Sequence, residues 1–380
     1  MTDAGDGARA TKVGFLRHNF LPRSETFIYA SMRALERYAV SAFALTRHME
    51  EKFPHDDLVV LRREPAGWLH EALYRCTTWS PRFFRWARSV RLLHAHMGYT
   101  GVHGMYAARK LGLPLVTSFY GKDVTLRASW TKLDPTYWHF WALGPKLFRR
   151  GDRFLVLSRH MRDALVAQGC PIEKIRVVPL GTDLARFDGA RAERRGGATT
   201  VLMVGREVDK KGFDDGLRAC AAARAAGADL RVVVLGTDGP HKAALQRLGE
   251  ELGLDVAWPD PSTRVPGAMA EADVLLVPSR TARDGDQEGT PTVICEGSAA
   301  ALPVVSTQHA GIPEQVDDGV TGLLADERDH ETMAAHLVRL AADPALRVSM
   351  GLAGRAKMQR EYSLAAHRSN LEAVYDELLT

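Results

Sequence analysis

Residues 270–296, AEADVLLVPSRTARDGDQEGTPTVICE, carry a strand, a polar loop and the start of a helix in one stretch. Val274–Val277 is continuously apolar, which a strand covered on both faces needs, and such strands belong to parallel sheets. Pro278 and Ser279 end the run, and Arg280 to Gln287 form a polar loop. Gly289, Thr290 and Pro291 then make a turn. Proline suits the first turn of a helix because its missing N–H would be unpaired there. The free N–H groups of that helix start make a ready site for phosphate.

The same unit recurs on both sides. KVGFL, VRLLHAH, PLVTSFYG, RFLVLS and IRVVPLG precede it, and TTVLMVG, LRVVVLG, LPVVST and TGLLA complete the second half. Helical patterns such as SETFIYASMRALERY and FDDGLRACAAARAAG lie between the runs. Alternating strand and helix give right-handed βαβ units and hence doubly wound parallel sheets. With 380 residues the chain is too long for one ordinary core. The polar stretch from Phe187 to Thr199 is the best boundary, because a fresh strand begins right after it. We therefore expect one Rossmann-like domain over 1–187, a second over 199–360, and a helix over 361–380 that packs back on the first. Ligands bind outside the carboxyl ends of such strands, so two facing sheets enclose a cleft.

An apolar share of 46% and a charged share of 25% are those of an ordinary globular protein. The formal charge of +4 is too small to imply nucleic acid. There is no run of about 20 apolar residues, and the first residues, MTDAGDGARATK, lack the apolar stretch of a signal peptide. Cys76, Cys170, Cys220 and Cys295 show no metal-ligand spacing and read as reduced thiols. A cytoplasmic protein is expected, with contact at the inner membrane face left open.

The turn supplies the first functional residues. Glu288 stands just before it, and Glu296 lies within the helix, close enough to its start to reach a ribose diol. Two glutamates eight apart are common; behind a buried strand and a Gly-Thr-Pro turn they are not. Upstream, Val204-Gly205-Arg206 and Lys210-Lys211-Gly212 follow another strand. Fixed cations such as Arg206 and Lys211 stabilise an anion whose charge grows as a bond to it breaks.

These residues together resemble the family-4 retaining glycosyltransferases of the GT-B fold. Glu288 to Glu296 looks like their Glu-x7-Glu motif, and Gly205, Arg206 and Lys211 resemble their donor-diphosphate signature. LGTDGP, which contains Gly236, resembles the turn beside the nucleobase, and Ala301 to Leu324 matches the stretch after the motif. The resemblance implies an α/β fold of two Rossmann-like domains facing across a cleft, with C-terminal helices. It also implies transfer of a sugar, with retention, from a nucleotide sugar to a hydroxyl acceptor in glycan, glycolipid or natural-product assembly. Uridine is the commoner nucleoside in the family's donors, so UDP is expected over GDP. Arg206, Lys211 and the amides of Gly289 and Thr290 would hold the diphosphate, Glu288 the sugar hydroxyls and Glu296 the ribose, with Pro291 and Thr292 also in the donor site. No metal and no other cofactor is expected, although Asp284 and Asp286 have suitable side chains. The implied route is front-face: the departing diphosphate oxygen takes the acceptor proton, because no carboxylate nucleophile stands out.

The first half matches less closely. FLPRSETFI resembles a branch active in polysaccharide and lipid-linked sugar assembly, which makes Ser24, Glu25 and Thr26 acceptor candidates; Ser24 reads equally as an N-cap. His96 ends a strand and is expected to face the cleft as a catalytic candidate. SFYGKD resembles the family's HG-D turn, with Tyr120 where many members have His, so Tyr120, Lys122 and Asp123 join the acceptor candidates. Between Trp79 and His94, drawn as a helix, Phe83, Trp86, Val90 and Leu93 share one face and Arg85, Arg88 and Arg91 another. Such a helix either packs its stripe on the sheet or lies on an anionic membrane.

Two other readings stay open at this stage. One is a GT-B epimerase or phosphorylase-like enzyme; the epimerases lack the Arg/Lys pair and Glu-x7-Glu in this arrangement. The other is a non-catalytic sugar-nucleotide-binding protein, against which stand intact charges at every donor position. The sugar, the acceptor and the oligomeric state are not legible.

Overall fold

The computed structural model describes residues 11–22, 26–125, 135–187, 197–236, 240–260 and 265–380. The side chains of Lys122, Thr125 and 135–137 are outside that description, as are the candidates Ser24 and Glu25 and most of the expected boundary after Phe187.

The first sheet has seven strands: β1 (Thr11–Leu16), β2 (Tyr38–Ala44), β3 (Leu58–Val60), β4 (Leu92–His96), β5 (Leu115–Ser118), β6 (Arg153–Val156) and β7 (Ile175–Val177). All pair in parallel, in the order β3-β2-β1-β4-β5-β6-β7. The second has six: β8 (Thr199–Val204), β9 (Leu230–Leu235), β10 (Val256–Ala257), β11 (Val274–Val277), β12 (Val304–Thr307) and β13 (Gly322–Ala325). They too are parallel, in the order β10-β9-β8-β11-β12-β13.

In each sheet the chain starts in the middle, winds outward to one edge, then returns to fill the other side. Between β1 and β4, and between β8 and β11, successive crossovers go opposite ways and leave a crevice beyond the strand ends. The loops after Val204 and after Val277, which carry Arg206 and Glu288, emerge at that place.

Strands β2, β3 and β10 were missing from the apolar runs. YAVSAFA mixes serine and alanine into its pattern, so it reads as weak, yet Ala42, Phe43 and Ala44 are fully buried. The layer of helices above them supplies the burial that the composition does not advertise.

The expected basic helix is shorter than drawn. It runs from Pro81 to Ala87; Val90 lies beyond its end and Leu93 belongs to β4. Phe83, Trp86, Val90 and Leu93 are all buried in the core, and Trp86 Nε1 donates to Ser41 Oγ at 3.0 Å. The apolar stripe is therefore spent on the sheet, while Arg85, Arg88 and Arg91 are exposed. Among the described residues, no helix is long and apolar enough to cross a membrane.

After β13 the chain is helical: His330–Ala342, Pro344–Lys357, a π-helical turn over Met358–Tyr362, and Leu364–Leu379. The last helix returns to the first sheet. Leu371, Val374 and Tyr375 join the cluster of Val13, Phe15 and Val116. Glu372 accepts from the Arg37 backbone and guanidinium, and Asp376 pairs with Arg37.

That contact buries His94, whose Nδ1 lies 2.6 Å from the Tyr375 hydroxyl and Nε2 2.7 Å from Ser118 Oγ. Burial pushes His94 and His103 down to about 3, and His18 and His96 well below their ordinary value. The unfolded chain takes up these protons below about pH 6.5, while the folded one refuses them. Stability is thus whole above pH 6.5 and is lost as pH falls toward 3. His94 and His103 together should remove roughly 4 kcal/mol by pH 5, at about 1.4 kcal/mol per pH unit for each. Urea unfolding at pH 7 and pH 5 measures this, and equal midpoints would show that these rings are not buried neutral.

Candidate active site

A cleft of about 1190 Å³ lies between the two sheets. On its second-domain wall, β8 ends at Val204 and Gly205 turns the chain at φ +151°, in a conformation that suits glycine. Arg206 is exposed in the cleft. A 3-10 turn, Asp209–Lys211, closes on Gly212 at φ +60° and aims Lys211 at Glu288, with Nζ to Oε1 3.0 Å.

Glu288 is only 7% exposed. Burial would raise its pKa, but Lys211 and Lys210 outweigh it and hold the carboxyl below its usual range, so it is ionised at neutral pH. Its backbone N–H donates to His309 Nε2 at 3.1 Å, which leaves the His309 proton on Nδ1, 2.6 Å from Glu327 Oε1. Burial keeps His309 neutral against the pull of Glu327. His309 stands in the stretch after the motif, where nothing in its neighbours marked it; its part is to orient the turn from beneath.

The loop before Glu288 is tied down by Arg280, which sequence reasoning passed over. Its guanidinium reaches Asp209 and Asp215 at 2.6 Å each, and so fastens the loop to the turn that carries Lys211. Asp286 is engaged by Lys210 at 3.3 Å, and Asp284 Oδ1 accepts the Asp286 N–H at 2.9 Å.

Pro291 is the N-cap of the helix Thr292–Ala299, one position earlier than the first-turn placement expected. Gly289, Thr290, Pro291 and Thr292 all line the cleft. A Cβ on Gly289 would sit 3.0 Å from the Tyr120 carbonyl oxygen, so this turn lies directly against Tyr120. Glu296 lines the cleft one turn into the helix; burial raises its pKa, opposed by Arg186 and Lys211.

Other candidates fall elsewhere. Gly236 does not line the cleft; it is buried, and an added Cβ would overlap the Glu207 carboxylate. His96 does not face the cleft either. It is 1% exposed, packed at 4.5 Å on Phe15 and at 4.3 Å on His94 between ring centroids. Its Nδ1 holds the Tyr120 hydroxyl at 2.6 Å, and Tyr120 is the residue that lines the cleft. Strand ends point ligand-ward, but the ring at this one turns under the loop that follows β5.

Asp123 is likewise interior. It accepts the N–H of Gly98 at 3.0 Å and those of Tyr120 and Gly121 at 3.2 Å each, tying the loop to the start of the helix Gly98–Leu111. Its service is to the Tyr120 loop and not to an acceptor. Thr26 lines the cleft and is exposed at the start of its helix, and the Lys122 side chain lies outside the described residues.

Two parallel sheets, a shared cleft and a returning C-terminal helix, with a lysine–glutamate pair beside a helix start, define a GT-B enzyme. Residues 24–186 match the family described as Glycosyltransferase Family 4, and residues 198–343 match Glycosyl transferases group 1. The putative colanic acid biosynthesis glycosyltransferase WcaL of Salmonella typhimurium is 33% identical over 334 residues, 81% of this chain and 79% of that protein. A GDP-mannose-dependent alpha-(1-6)-phosphatidylinositol monomannoside mannosyltransferase of Mycolicibacterium smegmatis is 34% identical over 217 residues, 54% and 56% of the two chains. Among solved structures, HepE of Anabaena in complex with UDP and glucose superposes with a TM-score of 0.74 at 18% identity, covering 97% of this chain and all of that one. This chain belongs to glycosyltransferase family 4 and is a glycosyltransferase.

Proposed function

We propose that the enzyme transfers a sugar with retention from a UDP-sugar to a hydroxyl acceptor, without a metal ion. The observation that carries this reading is the ion pair of Lys211 and Glu288, nearly buried beside the N-terminus of the helix Thr292–Ala299. Arg206, Lys211 and the amides of Gly289 and Thr290 hold the diphosphate; their charge meets that of the leaving group as it grows. Glu288, kept ionised, accepts hydrogen bonds from sugar hydroxyls, and Glu296 takes the ribose. The acceptor hydroxyl enters on the face from which the diphosphate leaves. Its oxygen bonds to the anomeric carbon as the C–O bond to phosphate breaks, and its proton passes to the departing phosphate oxygen. Positioning and fixed charge then supply most of the acceleration.

The UDP assignment draws support from HepE, which was crystallised with UDP; the M. smegmatis relative, by contrast, is named for GDP-mannose. Melting temperatures with UDP- and GDP-sugars test it, since only a bound donor raises them; a rise with GDP-sugars alone would overturn it. Retention is read from the anomeric configuration of the product by NMR.

The metal-free reading is supported by the loop carboxylates, which are already committed: Asp286 to Lys210, Asp284 to the Asp286 N–H. Turnover should survive excess chelator, because cations of the chain and a helix start meet the leaving charge. Complete loss on chelation, restored by Mg²⁺ or Mn²⁺, would return Asp284 and Asp286 to the mechanism.

A further inference from the structure

The first-domain wall of the cleft carries positive charge that the donor does not use. Thr26, Ala30 and Arg33 line it from one helix, Thr26–Ala34, at spacings of four and three that place them on one face. Lys52 joins them from the loop after β2, its ammonium 5.6 Å from the Phe53 ring centroid. A third cation, Arg368, enters from the C-terminal helix but is already paired with Glu36. Arg37, near Arg33 in sequence, is held by Glu372 and Asp376. Among the described residues Arg33 and Lys52 have no acidic partner.

Exposed cations on an outer surface usually serve solubility. These two come from separate segments and line the same concave cleft, where low-dielectric walls concentrate their field. In the proposed reading Arg206 and Lys211 meet the diphosphate from the opposite wall, which leaves this pair for a second anion. The same first-domain wall carries aromatic rings: Phe27 packs on Tyr120 with centroids 4.9 Å apart, and Tyr29 on Phe53 at 5.2 Å. Such edges suit a sugar face.

We propose that the acceptor is an anionic glycoside, bearing a phosphate or a carboxylate gripped by Arg33 and Lys52 while its sugar rests on Phe27 and Tyr120. This rests on the donor occupying the opposite wall, as set out above. The phosphate of a lipid-linked sugar and the carboxylate of a uronic acid share this chemistry, and the probes below tell them apart.

The test is calorimetric titration at low salt with UDP saturating, using octyl glucoside, octyl glucuronide and an octyl-diphosphate-linked glucose. At least one anionic probe should bind on the order of tenfold tighter than the neutral glucoside, as charge-assisted hydrogen bonds give. The tighter of the two names the source. Added salt should weaken the anionic probes and leave the glucoside unmoved. Arg33→Gln with Lys52→Gln should erase the preference, and Arg33→Lys with Lys52→Arg should keep it. Equal binding of all three probes, or a preference that survives the double glutamine variant, overturns the proposal. Failure of both UDP and GDP to bind overturns the donor reading instead, and the preference among probes is then read without nucleotide.

Discussion

Replacing Lys211 with alanine should lower turnover by about 10²-fold or more, the scale on which loss of one fixed donor to a developing anion acts. The lysine does two things. In the proposed reading it meets the diphosphate, and in the structure it holds Glu288 ionised across 3.0 Å in a nearly buried setting. Without it the carboxylate loses its main compensation, so its pKa rises toward the range where it takes a proton. Lys211→Ala combined with Glu288→Gln separates the two parts: stability should return, because no buried charge is left uncompensated, while turnover stays low.

Arg206→Ala gives the cleaner kinetic measurement. Arg206 is exposed, and among the described residues it has no acidic partner, so the substitution should leave stability within about 0.5 kcal/mol. A loss of turnover of similar size is then a loss of charge stabilisation alone. Glu296→Ala should mainly raise KM, because in the proposed reading it holds the ribose equally before and during reaction. Near-normal turnover in Arg206→Ala would remove the diphosphate from this wall.

The second large effect is structural. Gly212→Ala places a methyl group on a residue at φ +60°, where it would overlap the carbonyl oxygen of Pro278 at the end of β11. The Cβ is fixed by its own backbone and the atom it meets is a backbone oxygen, so no side-chain rotation can relieve the collision. The left-handed conformation alone costs about 1 kcal/mol, and the displaced backbone adds more, to roughly 3 kcal/mol. For a domain of this size that is a fall of about 6–12 °C in melting temperature. Because Gly212 closes the turn carrying Lys211 and packs against the strand that leads to Glu288, donor affinity should fall as well. An unchanged melting temperature would mean that the turn can move without cost.

The strands could be read because they are buried on both faces: VLLV and TTVLMV need no tertiary knowledge to be seen as parallel-sheet strands. YAVSAFA could not, since alanine and serine gain their burial from helices that the sequence places far away. At the site, the turn before Thr292 was legible because Gly-Thr-Pro limits the backbone locally. Arg280 and His309 were not. Each acts through partners distant in the chain, Asp209 and Asp215 for one, Glu327 and the Glu288 amide for the other.

By itself, then, the amino-acid sequence determined that there are two parallel sheets, the order of their strongly apolar strands, and the turn and helix start proposed to meet the donor. Those follow from apolar run length and turn chemistry, which act within a few residues. Tertiary structure alone decided which polar residues of the first domain reach the cleft. His96 and Asp123 were expected there and lie beneath it, holding the Tyr120 loop from behind. Arg33 and Lys52, which no local pattern marks, stand in the open wall. A side chain at a strand end has two directions open to it, cleft or core. The choice falls to whatever packs above it, here the loop after β5 and the helix returning from residue 364.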